Sequence, residues 1–463
     1  MNGIHIFHRD FRLYDNTALY ELSKKCDKII LVFIFDPIQI NPRKNEYFSS
    51  NCVQFMIESL EDLNNDINKR YNSSLLLFHG DTMNIIKHIK SKWDFQYLSM
   101  NMDYTPFAKK RDNEILKWAQ SHNINTIYTD DICLHPIKSV LTGNGEVYKV
   151  FTPYFRAASK IPVRHTEKEP YEKRQFIDDM KSSDMITFTD AHKYYKKNDN
   201  VYIRGGRKDA LKILTNLKEF KDYNNERDYP AIPSTMLSAY NKFGCISIRE
   251  LHEIIVSKLG KSNKLYTQLY WRDFYYNIAY EYGYVFGKAF REKYNKLKWD
   301  NNNKLFEKWM KGETGVPIID AGMRQLNTTG FMHNRLRMMV SMYLTKDLLI
   351  DWRWGEKYFA TQLIDYDPAQ NNGGWQWSAS TGTDSQPYFR IFNPYTMTGK
   401  VDPDGEYIKT WLPEMKDVEP YDLSKWDNVK VRNKYNISGY PKEPIVDHKE
   451  SREMVLEMFK SVI

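Results

Sequence analysis

The N-terminal part of the chain alternates short apolar runs with amphipathic stretches. The apolar runs fall at residues 4–7, 29–36, 74–80, 95–100 and 125–131. The segments between them, such as 53–67, carry apolar residues at helical spacing. This alternation is typical of a parallel sheet with helices on both faces. We therefore expect residues 1–135 to form an α/β domain with a doubly wound parallel sheet of five strands.

The pattern changes after residue 135. Residues 136–203 are polar and contain four prolines, which predicts a long connection between domains. From residue 204 onward the apolar positions follow helical periods. One predicted helix spans 316–330, with a proline near its start and a glycine at its end. A helical pattern continues over 331–352, and Ser247 with Glu250 fits a capping box. We expect residues 204–463 to form an all-helical domain.

Composition narrows the class of protein. The 463 residues suffice for two or three domains, and the net charge of +8 suits a polyanionic partner without proving one. Nine of the 11 tryptophans lie at or after Trp271. Four scattered cysteines lack a C-x-x-C motif, so we expect no disulfide and no metal site. No apolar stretch approaches 18 residues, which predicts a soluble intracellular protein, cytoplasmic or nuclear, without a membrane span.

Hydroxyl side chains cluster near a predicted helix start after Pro233. Ser234, Thr235 and Ser238 lie within five residues of one another. Hydroxyls and free backbone N–H groups at a helix start can hold a phosphate group. An ordinary N-cap needs only one hydroxyl and is the alternative interpretation.

Other segments place cations and aromatic rings together. On a helix, Asn334, Arg337 and Met338 share one face, where an amphipathic packing surface is the alternative to a ligand site. Segments 270–276, 351–359 and 363–377 mix aromatic residues with arginine and carboxylates. Such mixtures suit stacking on flat ligands, although tryptophan also anchors helix packing. No serine-hydrolase elbow, zinc-protease motif or Walker loop is present.

Three segments together resemble the DNA photolyases, specifically the class I cyclobutane pyrimidine dimer enzymes. They are WRDFYY (271–276), TGFMHNRLRMMVSMYLTKDLLIDWRWGEKYF (329–359) and NNGGWQWSASTGTDSQPYFRIFNP (371–394). The similarity extends from 8–16 to 445–452 and is densest from 223 to 412. The resemblance implies a helical domain that holds FAD in a U shape, with a cavity above it for a lesion flipped out of UV-damaged DNA. It implies a light-driven lyase, deoxyribodipyrimidine photo-lyase, acting by electron transfer from photoexcited reduced FAD, as a monomer.

The resemblance also implies roles for individual residues. The FAD-binding positions are Tyr223, Ser234, Thr235, Met236, Leu237, Ser238, Trp271, Arg272, Asn334, Arg337, Asp365, Asp367 and Asn371, of which Asn371 matches the position facing the flavin N5. The positions for the lesion and for DNA are Arg227, Gln268, Trp271, Asn334, Arg335, Met338, Trp377 and Arg390. An electron-hopping triad is expected at Trp299, Trp352 and Trp375. Gly373 and Gly374 are expected to let the backbone turn close to the flavin.

Several positions depart from the family pattern. Gln268 stands where class I enzymes carry Glu, as in the (6-4) photolyases, whereas Asn334 and Met338 stand where the (6-4) type carries histidines. Trp354 replaces a Glu and is a second candidate electron donor or a packing residue. Phe107 and Ala108 replace the Asn–Glu pair of folate-binding members, which leaves a deazaflavin, a flavin or no antenna open as the second chromophore. A cryptochrome-like photoreceptor and a (6-4) photolyase are the alternative functions.

Overall fold

The computed structural model describes residues 1–462 and contains one six-stranded sheet. Its strands are β1 (Asn2–Ile6), β2 (Lys28–Phe35), β3 (Leu76–His79), β4 (Tyr97–Asn101), β5 (Asn125–Thr129) and β6 (Met185–Ile186), in the spatial order β5-β4-β1-β2-β3-β6. The first five are parallel and confirm the predicted doubly wound sheet. β6 is an addition: it comes from the connecting segment and pairs antiparallel with β3. A strand of two residues carries no alternating pattern that a sequence could show.

Helices cover both faces of this sheet. They are α1 (Thr17–Ser23), α2 (Pro37–Ile40), α3 (Ser50–Tyr71), α4 (Thr82–Lys92) and α5 (Pro106–Ser121). In β2, Ile30, Val32 and Ile34 belong to the apolar core under α4 and α5. Leu31, Phe33 and Phe35 belong to the core under α1 and α3. Because successive side chains of a strand point to opposite faces, an uninterrupted apolar strand must be buried on both sides.

Outside the sheet and the helices that cover it, the regular secondary structure within residues 1–462 is helical. The connection contributes α6 (Phe151–Ala158) and α7 (Phe188–Ala191). The following helices are α8 (Arg207–Thr215), α9 (Tyr223–Glu226), α10 (Ser238–Lys242), α11 (Ile248–Lys258), α12 (Lys264–Glu281), α13 (Asn303–Lys311), α14 (Pro317–Thr329), α15 (Asn334–Met342), α16 (Trp352–Gln362), α17 (Pro368–Ser378), α18 (Pro394–Val401), α19 (Glu406–Trp411), α20 (Pro420–Leu423), α21 (Val429–Arg432) and α22 (His448–Lys460). No described helix is long and apolar enough to cross a bilayer.

Predicted helix ends agree with the structure in part. α14 ends at a left-handed Gly330, as its sequence indicates. The pattern over 331–352 is not one helix, because α15 passes into a π-helical turn at Tyr343–Asp347 and the chain then leaves the helix. Ser247 caps α11 by accepting from the Arg249 N–H, but the capping box does not form. The Glu250 carboxylate instead accepts two hydrogen bonds of 2.8 Å from Arg207.

Two local expectations near the cavity were wrong. α10 begins at Ser238, so Ser234 and Thr235 precede it in an irregular segment rather than in its first turn. The backbone does not turn at Gly373 and Gly374, because both lie inside α17. The ring of Tyr275 occupies the space that a side chain at residue 373 would need. This glycine therefore allows α17 to pack closely on α12.

The carboxyl edge of the sheet is tied to the helical part by buried charges. Arg9, which follows β1, forms an ion pair with Asp367 at the start of α17. Tyr104, which follows β4, donates a 2.6 Å hydrogen bond to the same carboxylate. Desolvation opposes ionisation of the buried Asp367 carboxyl. The Arg9 charge and the hydroxyls of Tyr104 and Tyr276 nevertheless hold its pKa below its usual value. The sheet thus fixes where α17 begins.

Candidate functional site: a cavity in the helical part

One cavity of about 510 Å³ lies among α10, α12, α15 and α17. Its volume is in the range of ordinary cofactor sites. The structure brings every residue predicted to bind FAD into its lining: Tyr223, Ser234, Thr235, Met236, Leu237, Ser238, Trp271, Arg272, Asn334, Arg337, Asp365, Asp367 and Asn371. These residues come from segments more than 100 positions apart in the sequence, so only the fold assembles them.

The central ion pair of the cavity joins α15 to the segment before α17. The Arg337 guanidinium donates to both oxygens of Asp365 at 3.1 and 2.9 Å, and its Nε donates to the Met332 carbonyl at 2.8 Å. The Asp365 side chain is only 4% exposed, whereas that of Arg337 is 25% exposed. The arginine is therefore locked in one orientation, with its remaining surface toward the cavity.

Two other predicted residues reach the cavity but are already engaged. Asp367 accepts from the Tyr104 and Tyr276 hydroxyls and from the first N–H groups of α17, beside its ion pair with Arg9. Arg272 donates to the Ile132 carbonyl at 2.6 Å and lies over the Tyr276 ring. Both side chains hold the walls of the cavity in place, because their polar atoms are committed to neighbouring segments.

The chemistry of the lining fits a flavin dinucleotide. Ser234, Thr235 and Ser238 bring three hydroxyl groups to the lining, and Met236 between them has a positive φ of 54°. A Cβ added at Gly374 would meet no protein atom within 4 Å, so the helix presents an open backbone there. Asn241 also lines the cavity, and its buried side-chain oxygen has no hydrogen-bond partner in the described chain. A ligand with polar groups along its length suits this lining.

The mouth of the cavity carries the residues expected at a lesion. Gln268, Trp271, Asn334, Met338 and Trp377 all belong to the lining. The Asn334 amide lies 3.8 Å from the Met338 sulfur, which confirms that the two side chains share one face of α15. Neither group can donate a proton as a histidine can.

Two neighbours of the mouth were not expected from the sequence. Phe151 of α6 stacks on Trp271 with ring centroids 3.6 Å apart and an interplanar angle of 8°. This contact fixes the indole and makes the connecting segment part of the site. His333 caps α15, and burial, reinforced by two neighbouring arginines, lowers its pKa to about 4. It is therefore neutral at physiological pH.

A second cleft of about 370 Å³ adjoins the mouth. Gln268 and Trp271 line both, and Arg227, Lys264 and Arg335 bring three cations to the second cleft. Arg335 forms an ion pair with Asp228 within it. Cations beside an aromatic mouth suit the phosphates that flank a base. Arg390, expected to act with them, is exposed and lines neither cleft.

The three tryptophans of the expected triad differ in burial. Trp375 lines the cavity and is 2% exposed, and Trp352 is 1% exposed. Trp299 is half-buried and touches Phe459 edge-on, at a centroid distance of 6.4 Å. The Arg353 guanidinium lies 4.8 Å from the centre of the Trp352 ring. Trp375 and Trp352 are therefore both fully buried, and Trp299 is the member of the three that is partly exposed.

Several lining residues escaped sequence reasoning. Lys242 of α10 is partly buried at the cavity, and desolvation lowers the pKa of its amine. Tyr275 and Gln370 complete the wall between α12 and α17, and Gln370 donates to the Arg272 carbonyl at 2.9 Å. The only signal for these residues is their position one turn from a predicted site residue.

Within residues 1–462, no cluster of His, Cys, Asp and Glu is arranged to hold a metal ion.

Comparison with known proteins gives a consistent result. Residues 3–172 match the family model described as DNA photolyase, and residues 265–461 match the model for the FAD binding domain of DNA photolyase. The deoxyribodipyrimidine photo-lyase of Alkalihalophilus pseudofirmus is 35% identical over 477 aligned positions, covering 98% of this chain and 97% of the relative.

Solved structures agree with the sequence matches. An archaeal photolyase from Sulfolobus tokodaii, described with two FAD molecules, superposes with a TM-score of 0.88 at 39% identity over the full length of both chains. A class III photolyase from Agrobacterium tumefaciens superposes with a TM-score of 0.91 at 29% identity, covering 100% of this chain and 97% of the other. This chain belongs to the DNA photolyase family.

Proposed function

We propose that this protein repairs cyclobutane pyrimidine dimers in UV-damaged DNA, using light and bound FAD. One observation carries the proposal: Gln268 and Trp271 line both the cavity that gathers the FAD residues and the cationic cleft beside it. A base that enters the mouth would reach the cofactor while its flanking phosphates meet Arg227 and Arg335. The photo-lyase names of the full-length relatives support the same reaction.

Each part of the site has a task in this reaction. FAD, when bound, supplies the light-driven electron that opens the dimer. The Arg337–Asp365 pair and the hydroxyl segment hold the cofactor, and the indoles of Trp271 and Trp377 stack on the lesion. A dimer is poorly stacked in the duplex, so flipping it into the mouth costs least among the bases of a strand. The protein thus selects damaged structure over base sequence.

The residues at the mouth favour a dimer over a (6-4) product. Asn334 and Met338 offer a hydrogen bond and a polarisable contact but no acid, and the nearby His333 is neutral and buried. Repair of a (6-4) product needs proton transfer, which this mouth is not equipped to supply. Gln268 favours the other candidate function, a (6-4) photolyase. Its amide can both donate a hydrogen bond to a pyrimidine edge and accept one from it.

Two oligonucleotides of defined sequence distinguish a dimer photolyase from a (6-4) photolyase and from a photoreceptor. One would contain a cyclobutane thymine dimer and the other a (6-4) product, each illuminated with blue light under reducing conditions while restored thymines are counted. We expect repair of the first alone. Repair of the second would overturn the argument from Asn334 and Met338. Repair of neither by protein with bound FAD would favour a photoreceptor over a repair enzyme.

Binding of DNA should depend steeply on salt, and the cationic cleft should account for part of that dependence. Replacing Arg335 with Ala removes one phosphate contact and should reduce the slope of log K against log salt by about 1. Asp228→Asn should raise affinity instead, because it frees Arg335 from its ion pair. Fluorescence anisotropy with lesion DNA between low and physiological salt measures both.

The exposed Arg174 lies outside both clefts and provides the matched control. Arg174→Ala should leave the salt slope near that of the unsubstituted protein. Equal slopes for Arg335→Ala and Arg174→Ala would remove the cleft from the DNA-binding surface.

Two finer parts of the function are also proposals. We assign photoreduction of the cofactor to Trp375, Trp352 and Trp299, supported by the position of Trp375 in the cavity wall and by the partial exposure of Trp299. We assign the antenna role to a second flavin in preference to a folate. Its support is the Sulfolobus relative with two FAD molecules, together with Phe107 and Ala108 at the folate positions.

A further inference from the structure

A second line of aromatic rings starts at Trp375. The Trp375 indole contacts Trp309 in a T-shaped arrangement, with ring centroids 6.1 Å apart. Trp309 stacks on Phe306 at 5.7 Å, and Phe306 meets Trp354 edge-on at 5.3 Å. These rings join the cavity wall to the outer side of α16 through α13, without using Trp352 or Trp299.

Trp309 is suited to pass a positive charge along this line. It is 0% exposed, and its indole N–H donates to the Val340 carbonyl at 3.0 Å. A carbonyl stabilises a cation through that hydrogen bond but does not take its proton. An oxidised Trp309 would therefore keep its positive charge until it is reduced by an electron from a neighbouring ring.

Trp354 is suited to end the line. It is half-buried, so water reaches its indole and can accept the N–H proton after oxidation. Tyr358 also contacts Trp309, at 5.8 Å, but its hydroxyl donates at 2.6 Å to the Asn327 amide oxygen, which is no base. Burial raises the pKa of Tyr358 to about 12. Trp354 is therefore the better terminal donor of the two.

We propose that Trp309 and Trp354 form a second electron route to the cavity, parallel to the triad. This proposal rests on the proposed function, because it requires bound flavin as the light-excited oxidant. One electron leaves Trp375 for the cofactor, one moves from Trp309 to Trp375, and one moves from Trp354 to Trp309 across Phe306. The oxidised Trp354 loses its N–H proton to water. A thiol reductant in solution then returns one electron, and water returns the proton.

Photoreduction of the oxidised cofactor under blue light with excess dithiothreitol tests the route. Trp352→Phe should retain part of the rate, and the double variant Trp352→Phe with Trp354→Phe should fall about tenfold further, more than the two single effects predict. Trp411→Phe, a half-buried tryptophan of α19 outside the cavity, is the matched control and should have the rate of the unsubstituted protein.

A second measurement locates the oxidised residue directly. After illumination in air without thiol, peptide mass spectrometry should find oxidation at Trp354 that disappears in Trp375→Phe. Trp352→Phe as slow as the double variant, with no oxidation of Trp354, would overturn the second route. Dimer repair by chemically reduced protein is measured separately, so a failure of the proposed function appears there and is not confused with a failure of the route.

Discussion

Replacing Arg337 with Met is expected to weaken the binding of FAD by about a hundredfold. The substitution keeps the aliphatic stem but leaves the Asp365 carboxylate, only 4% exposed, without its partner in the cavity wall. Removing one member of a buried charged pair costs about 3 kcal/mol, which is roughly a hundredfold in Kd. Calorimetric titration of the apoprotein with FAD measures the change, and the absorbance of bound flavin after purification gives an independent value.

Two further variants serve as comparisons: Arg337→Lys at the same position, and a substitution in a remote ion pair. Lysine restores the charge but not the planar fork that contacts Asp365 and the Met332 carbonyl together, so its effect should be intermediate. Arg324 pairs with Glu414 at 2.7 Å with similar arginine exposure, 28%, but lies outside the cavity. Arg324→Met should bind FAD normally. Full FAD occupancy in Arg337→Met would show that the pair does not hold the cofactor.

The sequence predicted the sheet because the sheet is buried on both faces. In β2 a continuous apolar run indicates burial on both faces, and its two sets of alternate side chains enter two separate cores. The two residues of β6 carry no such pattern, because that strand exists through its pairing with β3. Long-range pairing of short segments is a tertiary effect that local sequence cannot encode.

The residues of the cavity also divide into those whose contacts follow from local sequence and those whose contacts only the fold creates. Asn334 and Met338 could be placed together from helical spacing alone, and the structure brings them into contact. Gly373 could not be interpreted correctly, because its role is set by Tyr275 on another helix. Phe151 stacks on Trp271 from a segment 120 positions earlier, and nothing in the local sequence indicates that contact. The resemblance to a known family supplied the predicted residues that line the cavity, whereas the contacts that support them came only from the fold.

Changing Asn334 and Met338 together to His is expected to abolish dimer repair without removing FAD. The two side chains lie in contact at the mouth, so two imidazoles would fill the space that the dimer needs and would add ionisable groups beside Arg335. A misplaced substrate reduces the repair rate by about a hundredfold, which corresponds to about 2.7 kcal/mol in the barrier. Counting restored thymines in single-turnover illumination measures the loss.

The loss of repair should come from displacement of the lesion rather than from a change in the stability of the protein. Arg337, Asp365 and the hydroxyls of Ser234 and Ser238 are unchanged, so flavin absorbance per chain should stay near its normal value. Met338→Leu keeps the volume and apolar character of the side chain and should retain most repair, which makes it the matched control. Unchanged repair in the double-histidine protein would place the lesion elsewhere. Loss of repair together with gain of activity on a (6-4) product would instead show that these two positions decide which lesion the mouth accepts.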